Sequence, residues 1–182
     1  AKVAIIENMR IGGTCVMRGC VPKKLLVYGS QFSASFSDSI GFGWQPGENQ
    51  FEWESLIAAK NTELDRLETV YHNILQSSGV TEVYGTGRII GPHEIEVNGK
   101  NLSSKYILVA TGGWPAFPQI PGIEHAISSN EALDLAELPS SIAIVGGGFI
   151  AAEFAGIFNS LGVEVHLIIR STEILRGFDH SL

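Results

Sequence analysis

Ile142-Ala143-Ile144-Val145 runs straight into Gly146-Gly147-Gly148-Phe149-Ile150-Ala151, and this junction constrains the fold more than any other stretch of the chain. The apolar run reads as a buried strand, and the residues after it have the G-x-G-x-x-A spacing. Residues 153–161 continue as a helix and 163–169 as the next strand, so the stretch forms one βαβ unit with parallel strands. Backbone at Gly146 and Gly148 can come close to a pyrophosphate, and the helix start favours negative charge there. At the tip of the second strand, where an NAD site places Asp or Glu, stands Arg170, with Arg176 six residues on. Two guanidinium groups suit a 2′-phosphate and point to NADP; two solvated surface arginines are the alternative.

A second constraint lies near the other end. Gly12-Gly13-Thr14-Cys15-Val16-Met17-Arg18-Gly19-Cys20-Val21-Pro22-Lys23-Lys24 holds both cysteines of the chain. In a regular helix an i,i+5 pair lies roughly 8 to 9 Å apart at Cα, beyond the ~7 Å limit for a disulfide. If Cys15 and Cys20 pair, the backbone between them must bend, and Gly19 permits that. Two buried, inert cysteines are the bland alternative, against which the glycines and lysines around them weigh. A helix is expected over 21–37, with Pro22 tolerated in its first turn, so Cys20 stands at a helix N-terminus. The positive end of that helix and Lys23 would both stabilise a thiolate at Cys20.

Between these landmarks the pattern is mixed α and β. Lys2-Val3-Ala4-Ile5-Ile6 reads as a buried parallel strand tipped by Glu7. In a dinucleotide-binding unit such an acid follows a glycine fingerprint by ~20 residues and binds an adenosine ribose; here no fingerprint precedes it, and a solvated strand end is the alternative. Residues 40–50 form a loop rich in Gly, Pro and Asn. An amphipathic helix over 52–78 carries Ile57, Leu64, Leu67, Tyr71, Ile74 and Leu75 on one stripe, and Gly79 stops it. Short strands are expected over 80–84, 86–90, 94–97 and 102–109, the last two joined by the turn Asn98-Gly99, which implies a small antiparallel meander. Residues 106–113 read as a buried strand entering a tight glycine turn. An irregular crossing marked by Pro115, Pro118 and Pro121, a short helix over 130–137 and a domain boundary at 138–141 follow.

Bulk properties narrow the function classes. The 182 residues are 45% hydrophobic with 21 Gly, which suits a globular α/β protein of one domain or two small ones. Net charge is −7 and no basic run exceeds Lys23-Lys24, so neither a nucleic-acid nor a membrane surface is indicated. No apolar run reaches the ~18 residues of a membrane span. The histidines at 72, 93, 125, 166 and 180 show no ligand spacing with the thiols, so no metal is expected. Two cysteines do not make a secreted disulfide framework, and a close pair in a cytoplasmic setting is more often catalytic or metal-binding.

Taken together, two partial dinucleotide-binding units and a close cysteine pair resemble the flavoprotein disulfide reductases. Residues 12–24 resemble the redox-active segment of glutathione reductases, and the Arg18-Gly19-Cys20 variant with Val21-Pro22-Lys23-Lys24 is similar to plant, cyanobacterial and related bacterial forms. The likeness extends to Lys60-Asn61-Thr62-Glu63-Leu64 and to Ala110-Thr111-Gly112-Gly113. It implies an α/β fold: a partial FAD-binding, Rossmann-like domain with an antiparallel meander over 1–138, then the first βαβ unit of an NADP-binding domain over 139–182. A chain truncated at both ends is expected, lacking the first FAD strand and the dimer interface. FAD and NADP are the implied cofactors.

The resemblance also implies residue roles. Cys15 is the thiol that attacks glutathione disulfide, and Cys20 is the one beside the flavin. Glu7 and Asn8 hold the FAD adenosine, Gly13 and Thr14 approach its pyrophosphate, and Thr86, Gly87, Thr111, Gly112 and Ser129 match further FAD positions. Lys23 sits near the flavin and pairs with Glu153, since a buried lysine and glutamate are each costly alone. Tyr71 matches a tyrosine that lies between the two glutathione halves. Gly146, Gly148, Phe149, Ile150, Arg170 and Arg176 serve the nicotinamide nucleotide. Phe149 departs from the family, in which many members carry a gating tyrosine there.

The implied reaction is NADPH-dependent reduction of glutathione disulfide through FAD and a Cys15–Cys20 disulfide, in a homodimer. In relatives a histidine oriented by a glutamate, donated by the other subunit, protonates the leaving thiolate; none of the five histidines here has that context. Trypanothione reductase, the large thioredoxin reductases, mercuric reductase and lipoamide dehydrogenase share the cysteine segment, and the two arginines argue against the last. Outside this class stand a catalytically incompetent piece of such an enzyme and a flavin-free redox-sensing thiol pair. A cytoplasmic or organellar location fits all of them.

Overall fold

The computed structural model describes residues 1–179, so His180 lies outside the described residues. In chain order the elements are β1 (Val3–Glu7), α1 (Gly13–Arg18), α2 (Cys20–Ser39), α3 (Trp53–Ser77), β2 (Val80–Tyr84), β3 (Arg88–Gly91), β4 (Glu94–Val97), β5 (Lys100–Ser103), α4 (Ser129–Ala132), β6 (Ser141–Val145), α5 (Phe149–Ser160) and β7 (Glu164–Ile168). They fall into two compact units, each discontinuous in sequence: residues 1–21 with 61–118, and 22–60 with the chain from 119 onward.

In the first unit β1 and β2 pair in parallel, in register from Val3 opposite Val80 to Glu7 opposite Tyr84. The strand expected over 80–84 therefore joins β1 and is not part of the meander. The meander itself is β3-β4-β5, antiparallel throughout. Its second turn is Asn98-Gly99, with φ of 51° and 73°. Two consecutive positive φ values match the right-handed twist of a two-residue hairpin, and Asn followed by Gly tolerates both. Asn98 Nδ2 donates to the Tyr84 carbonyl at 2.6 Å.

Two expectations for this unit are corrected. β1 is not buried: Val3 is 51% and Ile5 36% exposed, and the buried apolar side chains described in this unit are Ile11, Val16, Leu64 and Val97. Nor do residues 106–109 form a buried strand; β5 ends at Ser103, and Tyr106 and Leu108 are 80% and 88% exposed. An apolar run becomes a strand only where an edge accepts its backbone hydrogen bonds. Among the described residues the β1–β2 sheet contains no third strand.

The core of the second unit gathers Leu26 of α2, Trp53 of α3, Ala132 and Leu133 at the end of α4, Phe154, Ile157 and Phe158 of α5, and Val163. Trp53 and Phe158 pack as tilted rings 6.1 Å apart, and Trp53 Nε1 donates to the Leu135 carbonyl at 2.7 Å. Lys60 is also buried here; its Nζ donates to the Leu133 carbonyl at 2.8 Å and pairs with Asp134. This explains why the helix expected over 130–137 is a single turn. Ser128 and Glu131 start it with a capping box, and Lys60 takes a carbonyl at its end that would otherwise be orphaned.

β6 and β7 run parallel, from Ser141 opposite Glu164 to Val145 opposite Ile168, and α5 connects them. The expected βαβ unit is present, with α5 starting four residues earlier than the sequence pattern placed it. Exposure alternates along both strands, so each is covered on one face, and β6 is not buried on both as expected. Along α3 the apolar stripe is only partly covered: Leu64 is buried, whereas Tyr71 and Ile74 are 36% and 51% exposed. The buried positions follow Trp53, Lys60 and Leu64, and a lysine among them escapes any search for apolar periodicity. Among the described residues no helix is long and apolar enough to cross a membrane.

Candidate functional site

Two helices carry the thiols. Cys15 lies in α1 and Cys20 opens α2, with Gly19 as the break between them. The sharpness of that break requires glycine on steric grounds: a Cβ at residue 19 would stand 2.9 Å from the Thr14 carbonyl oxygen and 3.3 Å from Cys15 Cα. Gly12 and Gly13, at φ of 136° and 71°, supply the left-handed turn that enters α1. Both thiols are free and exposed. A hydrogen bond to Cys20 pushes the Cys15 thiol up from its ordinary value, with burial and the Cys20 charge adding to the shift. The helix break thus brings the two sulfurs into mutual reach, which an unbroken helix would prevent.

In the same unit, two groups of expected cofactor positions come together. At the carboxyl end of β1, Glu7 Oε1 accepts from the backbone amides of Asn8 and Met9 at 2.9 Å each, and Asn8 Nδ2 donates to Thr86 Oγ1 at 3.1 Å. Beside them, Gly87 packs so closely that a Cβ would lie 3.3 Å from both Ile6 and Ile95. This places a carboxylate, an amide and a hydroxyl at one strand end, a donor and acceptor set that fits a ribose and adenine. Thr14 meets the second group: a Cβ at Gly112, φ 72°, would come 2.5 Å from Thr14 Oγ1. Thr111 precedes this turn, and Gly13 precedes Thr14. Tyr71 projects from the exposed side of α3.

The second unit holds the other expected positions. Gly146, Gly147, Gly148 and Phe149 line a cavity of about 660 Å³ with Arg170 and Arg176. The loop after β7 is tied back to the glycine turn by Leu175, whose amide donates to the Gly147 carbonyl at 2.6 Å. That tie brings both arginines to the glycines. Gly146 has φ of 147°, and a Cβ at Gly147 would touch Ile169 at 3.3 Å, whereas a Cβ at Gly148 would meet nothing within 4 Å among the described residues beyond its chain neighbours. A side chain at 148 would fill only the space above α5's first turn, so backbone there remains open to a phosphate. The residues present therefore fit an anionic dinucleotide. Phe149 is 66% exposed beside the cavity.

Also in this unit, Lys23 Nζ lies 2.6 Å from Glu153 Oε1, joining the first turn of α2 to α5 across 130 positions of sequence. Ser129 is the first residue of α4, although Ser128 is the residue that caps it.

Three groupings were not legible in the sequence. Arg18 stacks on Trp114 and also reaches Thr14 and Gly113. Thr14 and Arg18 stand four apart, and this signal is readable only once α1 is known to be helical. His72 Nδ1 lies 2.6 Å from Glu82 Oε2, and Tyr84 OH is 3.3 Å from His72 Nε2. Burial, followed by the charges of Glu82 and Glu68, pushes the Tyr84 phenol up. Lys60 is the third, a lysine in a core position.

Comparison with known proteins follows the same lines. The sequence profile of the pyridine nucleotide-disulphide oxidoreductases matches residues 1–182. The chain is 57% identical over 170 residues to the chloroplastic/mitochondrial glutathione reductase of Pisum sativum, covering 93% of this chain and 31% of that protein. It is 49% identical over 182 residues to the glutathione reductase of Burkholderia cepacia, covering 100% and 40%. With the trypanothione reductase of Trypanosoma congolense it shares 42% over 187 residues, covering 94% and 38%. Among solved structures, the HOCl-induced flavoprotein disulfide reductase RclA of Escherichia coli, in its Cu(II) complex, superposes with a TM-score of 0.84 at 28% identity over 100% of this chain and 39% of that one. The chain spans 31 to 40% of the length of these curated relatives.

Proposed function

The chain belongs to the pyridine nucleotide-disulphide oxidoreductase family, and on that premise we propose that its parent protein is an NADPH-dependent, FAD-containing reductase of glutathione disulfide. The observation that carries the reading is the placement of two free thiols on separate helices across Gly19, close enough for Cys20 to raise the Cys15 thiol. In this reading the nucleotides, when bound, supply the electron pair that opens the Cys15–Cys20 disulfide.

The chain's own residues account for the remainder. The Cys15 thiolate attacks one sulfur of glutathione disulfide, forming a mixed disulfide and expelling one glutathione thiolate. Cys20 then attacks the Cys15 sulfur, which closes the protein disulfide and releases the second glutathione. Two electrons pass from the dithiol to the substrate, and the two leaving thiolates take up the two thiol protons. Because Cys20 holds the Cys15 thiol above the ordinary thiol range, forming the nucleophile calls for a base. In our reading a histidine of a second subunit serves, and the same group protonates the leaving thiolate. Tyr71 contacts the substrate, and Lys23 with Glu153 forms the charged pair at the flavin.

Glu7 and Asn8 hold the adenosine half of FAD with Thr86 beside them, Gly13 and Thr14 approach its pyrophosphate, and Gly112, packed on Thr14, is a further FAD position. Arg170 and Arg176 hold the 2′-phosphate that distinguishes NADPH from NADH. The functional division falls at 138/139, with FAD positions before it and NADP positions after, apart from Lys23 and Glu153, which act together. A homodimer and a reducing compartment, the cytoplasm or an organelle, complete the proposal.

The test is NADPH oxidation by the full-length parent protein with glutathione disulfide, trypanothione disulfide and oxidised thioredoxin as separate substrates. Turnover of glutathione disulfide at the highest kcat/KM supports the assignment. Preference for trypanothione disulfide, which the likeness to the trypanosomal enzyme makes the second reading, transfers it, and no turnover of any of the three refutes it.

A further inference from the structure

We propose that Arg18 is a cofactor-positioning residue that clamps the 112–114 turn onto the cysteine-bearing helix through Trp114; this rests on the FAD-binding reading above. Arg18 stands in the last turn of α1, on the face that carries Thr14. Its Cζ lies 4.0 Å from the centroid of the Trp114 ring, and its Nη2 donates to the Gly113 carbonyl at 3.3 Å and to Thr14 Oγ1 at 3.4 Å. The turn and the helix are in close contact at the same point, since a Cβ at Gly112 would lie 2.5 Å from Thr14 Oγ1 and 3.9 Å from Arg18 Nη2. One planar cation therefore touches the hydroxyl, the glycine carbonyl and the ring that fix the distance between two cofactor-facing turns.

Its second terminal nitrogen makes the case for more than packing. Arg18 Nη1 is buried and has no hydrogen-bond partner among the described residues. A guanidinium has only donors, and leaving one unpaired inside a protein is unfavourable. A methionine or leucine would cover Trp114 without that cost, so a role confined to packing does not account for an arginine here. A positive charge beside Thr14 does account for it, because the pyrophosphate assigned to Gly13 and Thr14 is doubly anionic. Attraction between the guanidinium and that charge adds to the mechanical effect of holding both turns in position.

The test uses the full-length, FAD-loaded protein and its Arg18→Met, Trp114→Ala, Trp114→Phe and Arg18→Met/Trp114→Ala variants. FAD is removed, and its dissociation constant is measured on rebinding by quenching of flavin fluorescence; the apoprotein melting temperature is measured in parallel. Loss of one cation–π contact with its hydrogen bonds predicts a dissociation constant raised about tenfold in Arg18→Met and in Trp114→Ala. The double variant should bind within about twofold of the weaker single variant, because the two side chains act as one clamp. Trp114→Phe keeps a ring and should remain within about threefold of the wild type. The apoprotein melting temperature should be unchanged in Arg18→Met. Affinity within about twofold of wild type in Arg18→Met, fully multiplicative losses in the double variant, or a loss matched by an equally destabilised apoprotein would each overturn the proposal. A wild-type protein that carries no flavin would instead overturn the FAD reading itself.

Discussion

Gly19→Ala tests whether the bend between the two thiols depends on the absence of a side chain. The added methyl carbon would stand 2.9 Å from the Thr14 carbonyl oxygen and 3.3 Å from Cys15 Cα, and both obstacles are backbone atoms. Relief therefore requires moving α1 relative to the start of α2. Overpacking of this kind costs ~1–3 kcal/mol, and the reduced freedom of the unfolded chain offsets roughly 0.4–1 kcal/mol of it. A net loss of about 1–2 kcal/mol corresponds to a fall in melting temperature of roughly 2–8 °C for a chain of this size. The same displacement carries Cys15 away from Cys20 and shifts the dithiol–disulfide balance toward the dithiol by about tenfold for each ~1.4 kcal/mol. Scanning calorimetry and equilibration in a dithiothreitol redox buffer read the two effects. Gly47→Ala is the control: beyond its chain neighbours, nothing among the described residues lies within 4 Å of its added Cβ, and no loss is expected. If Gly19→Ala melts at or above the wild-type temperature with an unchanged disulfide balance, the close approach does not shape this segment.

Cys20→Ala removes the hydrogen bond that raises the Cys15 thiol, so the apparent pKa of Cys15 alkylation by iodoacetamide should fall toward that of a free thiol; an unchanged or higher value would contradict the coupling. The sign for stability follows: a thiol whose folded-state value is raised contributes stability below its unfolded value and loses it as pH rises through the folded one. For Lys23 and Glu153, 2.6 Å apart and both partly exposed, a double-mutant cycle with Lys23→Met and Glu153→Gln should return a coupling of about 1 kcal/mol; a value near zero would mark the contact as incidental. Arg170→Ala and Arg176→Ala in the full-length protein should each reduce the preference for NADPH over NADH by about tenfold, in line with the loss of one charge-assisted contact; an unchanged ratio of kcat/KM values would leave them as surface arginines.

Features set by local chemistry were legible in the sequence. The βαβ unit around Gly146, the helix start at Cys20, the Asn98-Gly99 turn and the long helix before Gly79 all depend on neighbours within a few residues. Features that depend on partners distant in sequence were not. The run 106–109 is as apolar as any strand, and whether it becomes one depends on an edge to receive it. Nothing in the sequence marks Lys60 as buried against the Leu133 carbonyl, and nothing links Arg18 to Trp114, 96 positions away. For the site, spacing pointed to the cysteine pair, the glycine turn and the two arginines, and the family resemblance supplied the other expected positions. The structure added the contact of Asn8 with Thr86 and the cavity that the two arginines share with the glycine turn, and it carries the expected Lys23–Glu153 pair.

The central claim is a thiol pair with polarity, Cys15 toward the substrate and Cys20 as the resolving thiol. The direct measurement is to expose the reduced full-length Cys20→Ser variant to glutathione disulfide and locate the adduct by peptide mass spectrometry, with reduced Cys15→Ser treated in parallel. The account predicts a stable glutathionyl group on Cys15 in the first protein and little or none on Cys20 in the second. An adduct that forms readily on Cys20 while Cys15 stays unmodified would contradict it.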